Sequence, residues 1–406
     1  MEQSPRAQPL SLGLDSYDIL KYGIYLPTMN TRNIMFAIAV VAVAIIAGII
    51  GYHLRVPQAP TATTTVSYVS TTVTTVTTTI TASYTTTVTA TTSYYPIEVA
   101  DALNRTLVIS SEPATVVSLA PSITQMLVAL GLCNRIIGLD QFSYQLLSEL
   151  NATSCLPANA EVIKINAMSP TGFNETVMLL HPDIVLADAG FEALWARDLP
   201  KTGLNVYFLR GTLAANITGI EEDLLALGKI FHKEQRAQAL VTWMNRELEI
   251  YGAPLNASVA VIVWINPDGS FYAAGNNTFI SAVVDAAGGI NAIERGGWGP
   301  FEPSLLIASN PDVIVLSAMG VSNCTYALQA LDNIPGVNKV AAYRSGRVYV
   351  VSGLPEDALE EPSLMSVYAV VMLHKVLTGN APHCLTSAWF LKSLNATLLI
   401  KGINSP

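Results

Sequence analysis

His181-Pro182-Asp183-Ile184-Val185-Leu186-Ala187-Asp188 is echoed far downstream by Asn310-Pro311-Asp312-Val313-Ile314-Val315-Leu316-Ser317. In each copy a Pro-Asp turn feeds a short, continuous apolar run. Such a run reads as a buried strand of a parallel sheet, covered on both faces. A helix-like segment precedes each Pro, at 175–180 and 305–309. Two matching helix–turn–strand units predict two lobes of similar build. Two lobes enclose a cleft, and a cleft holds a ligand.

Outward from these phrases, strands and helices alternate. Residues 97–109 predict a small hairpin around Asp101-Ala102-Leu103-Asn104-Arg105, and 115–119 a strand. Pro121-Ser122 then caps a helix over 123–130 that Gly131 stops. Strands follow at 135–139, 183–187 and 205–209. The second half restarts with a strand at 259–265, a helix from Asn277-Thr278 to Ala287, strands at 312–316 and 347–351, and a terminal helix at 362–377. The alternation predicts an α/β fold of two Rossmann-like lobes with central parallel sheets, 97–219 and 253–406. Between them, 220–252 keeps a helical period through Leu224, Leu227, Ile230, Ala237, Leu240, Val241, Met244 and Leu248. It reads as one long bridging helix, with Gly228 the point where it would break.

The front of the chain is of another kind. Residues 34–51 form an uncharged apolar run of 18 residues. At about 1.5 Å per residue this just crosses a bilayer core of roughly 30 Å. Arg6, Lys21 and Arg32 precede the run and Arg55 follows it. The expectation is a cytoplasmic segment 1–33, a transmembrane anchor 34–52 and an extracellular remainder. Residues 53–96 are dominated by Thr with Val, Ala, Ser and Tyr, the composition of a glycosylated, extended stalk. Asn-x-Ser/Thr sequons then fall at Asn104, Asn151, Asn174, Asn216, Asn256, Asn276, Asn323 and Asn395, as an exported glycoprotein would carry.

The four cysteines are disulfide candidates. Cys133 lies near Cys155, and Cys324 near Cys384, so local pairing is one of three connectivities. With no Cys-x-x-Cys, neither a zinc ribbon nor a redox dithiol is supported. The net charge of −9 and the lack of a basic cluster exclude a nucleic-acid binder. His53, His181, His232, His374 and His383 show no ligand spacing, so no metal site is expected. No Gly-x-Ser-x-Gly elbow, phosphate loop or dinucleotide fingerprint is present, so no enzyme activity and no cofactor are expected.

Several phrases together carry a family resemblance. They are Val99-Ala100-Asp101-Ala102-Leu103-Asn104-Arg105-Thr106, Thr115-Val116-Val117-Ser118-Leu119-Ala120-Pro121-Ser122-Ile123-Thr124, Leu130-Gly131-Leu132-Cys133-Asn134-Arg135-Ile136-Ile137-Gly138, Ser270-Phe271-Tyr272-Ala273-Ala274-Gly275, Ala287-Gly288-Gly289-Ile290-Asn291 and both Pro-Asp strands. In this order they resemble the substrate-binding proteins of ABC importers for cobalamin, haem and iron chelates. The resemblance spans nearly all of 97–406. It implies two lobes on a single helical bridge, a chelate held in the cleft, and partners in a membrane permease and its cytoplasmic ATPase.

The resemblance also implies residue roles. Family members meet permease arginines with one Glu per lobe. In the first lobe it lies seven residues before the Pro of the Pro-Asp strand, which is Glu175. In the second the same count lands on Ser304, and Glu302, two residues earlier, is the substitute. A flat or bulky chelate needs aromatic walls with few charges. Trp298, in the loop-like Gly296-Gly297-Trp298-Gly299-Pro300, matches a ligand-contacting Trp of cobalamin-binding members. Tyr272 matches a cleft-facing position. Tyr144, Trp195 and Arg197 follow strand ends, where open α/β sheets bind ligands. Ser118 and Pro121 line the first strand-to-helix turn, whose N–H groups suit an anion. Trp264, ending a strand, reads as half core. The expected function is a monomeric extracytoplasmic solute-binding protein for a corrinoid or iron chelate, with scarce Arg near the cleft leaning toward a near-neutral corrinoid. Other readings are a surface receptor or adhesion module without transport, and an extracytoplasmic enzyme on the same scaffold.

Overall fold

Both Pro-Asp phrases fold into the same corner. In each, the residue before Pro turns left-handed at the end of a helix, His181 at φ 47° and Asn310 at φ 42°. Asn and His are among the non-glycine residues that enter this region most readily. The Asp then reaches sideways to the start of the neighbouring strand. Asp183 accepts from the N–H groups of Ala114 (2.8 Å) and Thr115 (2.9 Å), while its own N–H donates to Thr115 Oγ1 (3.0 Å). Asp312 accepts from the N–H and hydroxyl of Ser258 (2.9 and 2.8 Å), and its N–H donates to Ser258 Oγ (3.0 Å). The same reciprocal clamp thus sets strand register in both lobes.

The computed structural model describes residues 93–165, 171–190, 192–318 and 324–394. The expected cytoplasmic segment, the expected anchor 34–52 and all but the end of the expected stalk 53–96 lie outside them. Among the described residues no helix is long and apolar enough to cross a membrane.

The first lobe opens with an antiparallel hairpin, β1 (Ile97–Ala100) and β2 (Thr106–Ile109). There follow β3 (Val116–Ser118), α1 (Pro121–Ala129), β4 (Ile136–Asp140), α2 (Gln141–Glu149), β5 (Glu161–Ile163), α3 (Thr171–Leu179), β6 (Ile184–Asp188), α4 (Ala193–Ala196) and β7 (Val206–Leu209). The strands form a parallel sheet in the order β5-β4-β3-β6-β7. Helices α5 (Ile217–Ile230) and α6 (Glu234–Tyr251) lead to the second lobe. This contains β8 (Ala257–Ile265), β9 (Phe271–Ala274), α7 (Phe279–Ala286), β10 (Gly289–Asn291), β11 (Trp298–Phe301), α8 (Pro303–Ser309), β12 (Val313–Ser317), α9 (Cys324–Asp332), α10 (Ala341–Arg344), β13 (Val348–Val351), α11 (Leu354–Glu360), α12 (Met365–Leu377), β14 (Cys384–Leu385) and α13 (Ser387–Ser393). Its sheet runs β11-β9-β8-β12-β13-β14, with β10 beside β8.

Three sequence expectations need correction. The second sheet is mixed rather than parallel, because β9 pairs antiparallel with both β8 and β11. The helix ending at Leu377 is not terminal, since β14 and α13 follow it. The bridge over 220–252 is two helices, not one. His232 takes a left-handed φ of 51° between them. The helices also press together at Gly228, where an added Cβ would lie 2.6 Å from the Ala237 methyl. The second helix touches both lobes. Arg236 Nε donates to Ala129 O of the first lobe (2.5 Å), while Trp243 packs on Tyr368 and Tyr251 on His374 of the second (ring centroids 5.9 and 5.2 Å). Its 18 residues cover about 27 Å.

Tyr94 and Tyr95, grouped with the stalk by composition, are anchored on this elbow. Tyr94 stacks on His232 (4.0 Å) and donates to Lys229 O (2.9 Å), and Tyr95 donates to Ile230 O (2.7 Å).

One hydrophobic core runs through both lobes. It unites Ile123 and Leu127 of α1, Leu224 and Leu227 of α5, Val283 of α7 and Leu373 of α12. Separate cores cover the outer faces, around Phe173, Val177 and Phe208 in the first lobe and Leu306, Ile314 and Leu331 in the second. Hydrogen bonds cross the seam, among them Met365 N–H to Gln125 Oε1 (3.1 Å) and Ser387 Oγ to Glu149 Oε2 (3.0 Å). Parting the lobes widely would expose apolar surface, so the shared core opposes large hinge motion.

Candidate functional site

Cross-strand partners share a face of a sheet, and this places three aromatic side chains together. Trp264 of β8 pairs with Tyr272 of β9, and Ala274 of β9 pairs with Trp298 of β11. Tyr272 and Ala274 lie two apart and so point the same way. Trp264, Tyr272 and Trp298 therefore form one aromatic ledge, on the face that belongs to the shared core. Tyr272 is buried; Trp264 and Trp298 are half-exposed. Trp298 starts an edge strand rather than sitting in a free loop, with Pro300 tolerated at the sheet edge. It leans on Phe279 (centroids 5.9 Å). Trp264 donates its indole N–H to Asn266 Oδ1 (3.0 Å).

The other expected contacts are dispersed. Ser118 is fully buried, and its hydroxyl shares a hydrogen bond with Thr124 Oγ1 (2.8 Å). Thr124 donates to Ser143 Oγ (2.8 Å), and Ser143 to Asp140, so a sealed row of hydroxyls ends on a buried carboxylate. Pro121 is buried at the first position of α1. Both residues sit inside the turn rather than on its surface. Trp195 is buried in the outer core of the first lobe, because α4 turns its apolar side onto that sheet face. Arg197, at the end of α4, and Tyr144, on α2, are exposed. Glu175 on α3 and Glu302, the residue that precedes α8, are both exposed. Exposed Met178 and Leu179 flank the end of α3. The disulfides are the local ones, Cys133–Cys155 and Cys324–Cys384.

Sequence reading missed the carboxylates at the strand ends. Asp140 ends β4 and caps α2, accepting from the N–H groups of Phe142 (2.8 Å) and Ser143 (2.9 Å). Burial nevertheless pushes it up to about 6, outweighing those hydrogen bonds. Asp188 ends β6 and accepts from Gly190 N–H (2.6 Å) and the Thr212 hydroxyl (2.9 Å). Four residues on, Glu192 is 6% exposed. Burial, with the negative charges of Asp188, Glu361 and Asp140, holds it well above the usual carboxylate range. Among the described residues no group of three or more His, Cys, Asp or Glu is arranged to hold a metal ion.

These carboxyls set an expected pH profile. Burial tends to raise Asp183, but the N–H groups of Thr115 and Ala114 outweigh it; the N–H of Ser258 lowers Asp312. Their stabilisation is complete above the ordinary Asp value of about 4 and is lost as pH falls through their depressed values. Asp140 and Glu192 act oppositely, as does Asp223, which burial raises to about 6. Their folded forms hold the proton, so the fold loses stability as pH rises from about 4 through their raised values. The melting temperature is expected to peak at about pH 4 and to fall as pH rises through about 6. A higher midpoint at pH 8 than at pH 5 would contradict this balance.

Three comparisons with known proteins agree. The family described as periplasmic binding protein matches residues 116–353. A cobalamin-binding protein of Halobacterium salinarum is 29% identical over 266 residues, covering 64% of this chain and 68% of the relative. The ABC transporter substrate-binding lipoprotein YvrC of Bacillus subtilis, itself uncharacterized, is 26% identical over 272 residues, 64% of this chain and 79% of the relative. Among solved structures, a periplasmic heme binding protein from Pseudomonas aeruginosa superposes with a TM-score of 0.54 at 23% identity, covering 66% of this chain and 94% of that one. A protein of an ABC-type Fe3+-hydroxamate transport system from Saccharomonospora viridis gives 0.56 at 18% identity, covering 70% and 99%. With its two sheets, helical junction and matched span, the chain belongs to the periplasmic binding protein family.

Proposed function

We propose that this protein is the extracytoplasmic solute-binding component of an ABC importer. It captures a corrinoid or iron chelate between its lobes and performs no chemistry on it. The observation that carries the reading is the ledge of Trp264, Tyr272 and Trp298, two of them half-exposed on the face shared by the lobes. A flat macrocycle or compact chelate stacks on such a surface. The two disulfides and the sequons suit an exported domain. The apolar run 34–51 would hold it at the membrane through the Thr-rich tract. Exposed Glu175 and Glu302, one per lobe, would steer a permease that presents arginines. The ligands for which similar proteins are named, cobalamin and heme among them, support the ligand class.

Calorimetry of the full chain against cyanocobalamin, haemin and ferrichrome tests the reading. One of these is expected to bind with micromolar or tighter affinity. Trp298→Ala is expected to weaken that binding by about tenfold or more. Equal affinity would remove Trp298 from the site. Failure of all three compounds to bind would favour the adhesion reading, in which the fold serves a surface contact without transport.

A further inference from the structure

Carboxylates gather where the lobes meet. Asp140 and Asp188 stand at the ends of β4 and β6, where parallel sheets of this class receive ligands. Glu361 follows α11 of the second lobe, and α11 sits between the lobes: Gly353 at its start lies against Glu149 of α2 and Ser387 of α13. Glu192, 6% exposed, lies near this group with a buried Oε2 that meets no hydrogen-bond partner among the described residues. The charges acting on it most strongly, Asp188, Glu361 and Asp140, are all negative and come from both lobes. α11 adds buried Glu356, Asp357 and Glu360, and the charged residues at the end of α4, Arg197 and Asp198, are exposed.

A buried carboxyl oxygen without a donor costs free energy unless something completes it. In the ligand-free chain a proton on Glu192 limits that cost, as its raised affinity for protons indicates. No trio of ligating groups converges on a bare metal ion among the described residues. The partner that fits is larger and more diffuse, a bound molecule with positive charge spread over its surface.

We propose that Glu192 and Glu361, backed by the negative charge of the buried Asp140 and Asp188, form an acidic subsite of the interlobe site that selects chelates of net positive charge over neutral or anionic ones. The proposal rests on the reading that this cleft holds a chelate, and it replaces the near-neutral preference that scarce arginine suggests. Two sources of charge fit, an aquated metal centre and a protonated amine on the chelate's rim.

Two matched pairs of probes, titrated against the full chain, separate these sources. Aquacobalamin and cyanocobalamin differ in charge at the metal. Ferrioxamine B and ferrioxamine E differ by a pendant ammonium. In at least one pair the cationic member is expected to bind about tenfold tighter at pH 8, and the advantage to shrink toward parity at pH 5 as the carboxyls take up protons. Glu192→Gln is expected to collapse the ratio at pH 8. If that variant does not fold, Glu361→Gln, at a half-buried position, makes the same test. Binding of both members with equal affinity at pH 8, or a preference that survives both substitutions, overturns the acidic subsite while leaving the chelate-binding reading intact. Failure of all four probes to bind overturns the chelate-binding reading, and the subsite with it.

Discussion

Removing Cys324–Cys384 is expected to cost about 4 kcal/mol of unfolding free energy, and removing Cys133–Cys155 about 3 kcal/mol. The bonds join residues 60 and 22 apart in sequence, and the longer loop restricts the unfolded chain more. Location points the same way. The larger loop ends at β14, a two-residue strand that, among the described residues, pairs with β13 alone. Such a short strand has little pairing of its own, and its Leu385 is part of the shared core. The smaller loop ties the turn after α1 to the segment before β5. Denaturant titration of a Cys324→Ser/Cys384→Ser variant checks the larger figure. An unchanged midpoint at an unchanged slope would show that the bond contributes nothing to folding.

Asp101→Ala is expected to destabilise the fold by about 2–4 kcal/mol, less than the full cost of breaking a buried ion pair because the Arg105 side chain is a third exposed. Asp101 is buried, and one carboxylate oxygen accepts from the N–H groups of Leu103 (3.0 Å) and Arg105 (2.9 Å). The other accepts from Arg105 Nε (2.9 Å) and Nη2 (2.5 Å). The same guanidinium donates to Val206 O (2.6 Å) and lies 4.8 Å from the Phe208 ring centre. The network therefore holds the β1–β2 hairpin against β7. Without the carboxylate, two turn N–H groups and a partly buried cation lose their acceptor. Asp101→Asn, which keeps an acceptor oxygen, is expected to cost less. A loss below about 1 kcal/mol for the Ala variant, by denaturant titration, would mean that water replaces the carboxylate at no penalty.

What the sequence disclosed follows the range of the interactions involved. The Pro-Asp phrases announced β6 and β12 because turn, strand and preceding helix are all encoded within a dozen residues. Thr278 before α7 was legible for the same reason. The pairing of β11 with β9 was not, since Trp298 meets Ala274 across a long loop and two glycines disguise the strand's start. Trp264 read as half core and is half-buried against the core, but its place in the ledge was not legible, because a strand's apolar run does not reveal which strand will pair beside it. Glu192 carried no signal at all: two of the carboxylates whose charge acts on it, Asp140 and Glu361, lie far away in the chain. Trp195 misled in the opposite direction, since the short α4 gives too few residues to tell its inner side from its outer one. Gly228 was read as the break in the bridge, but it lies inside α5 and the break falls later, at His232; what Gly228 provides is close contact with Ala237, which appears only once the chain doubles back.

The grip of Tyr94 and Tyr95 on the α5–α6 elbow fixes where the upstream chain departs. It leaves from the foot of the strut between the lobes, not from either rim. Tension along such a leash enters at the pivot and has little leverage to prise the halves apart. If the upstream chain is a tether and the lobes hold a ligand, as proposed above, a pull along that chain would leave the seam between the lobes unloaded.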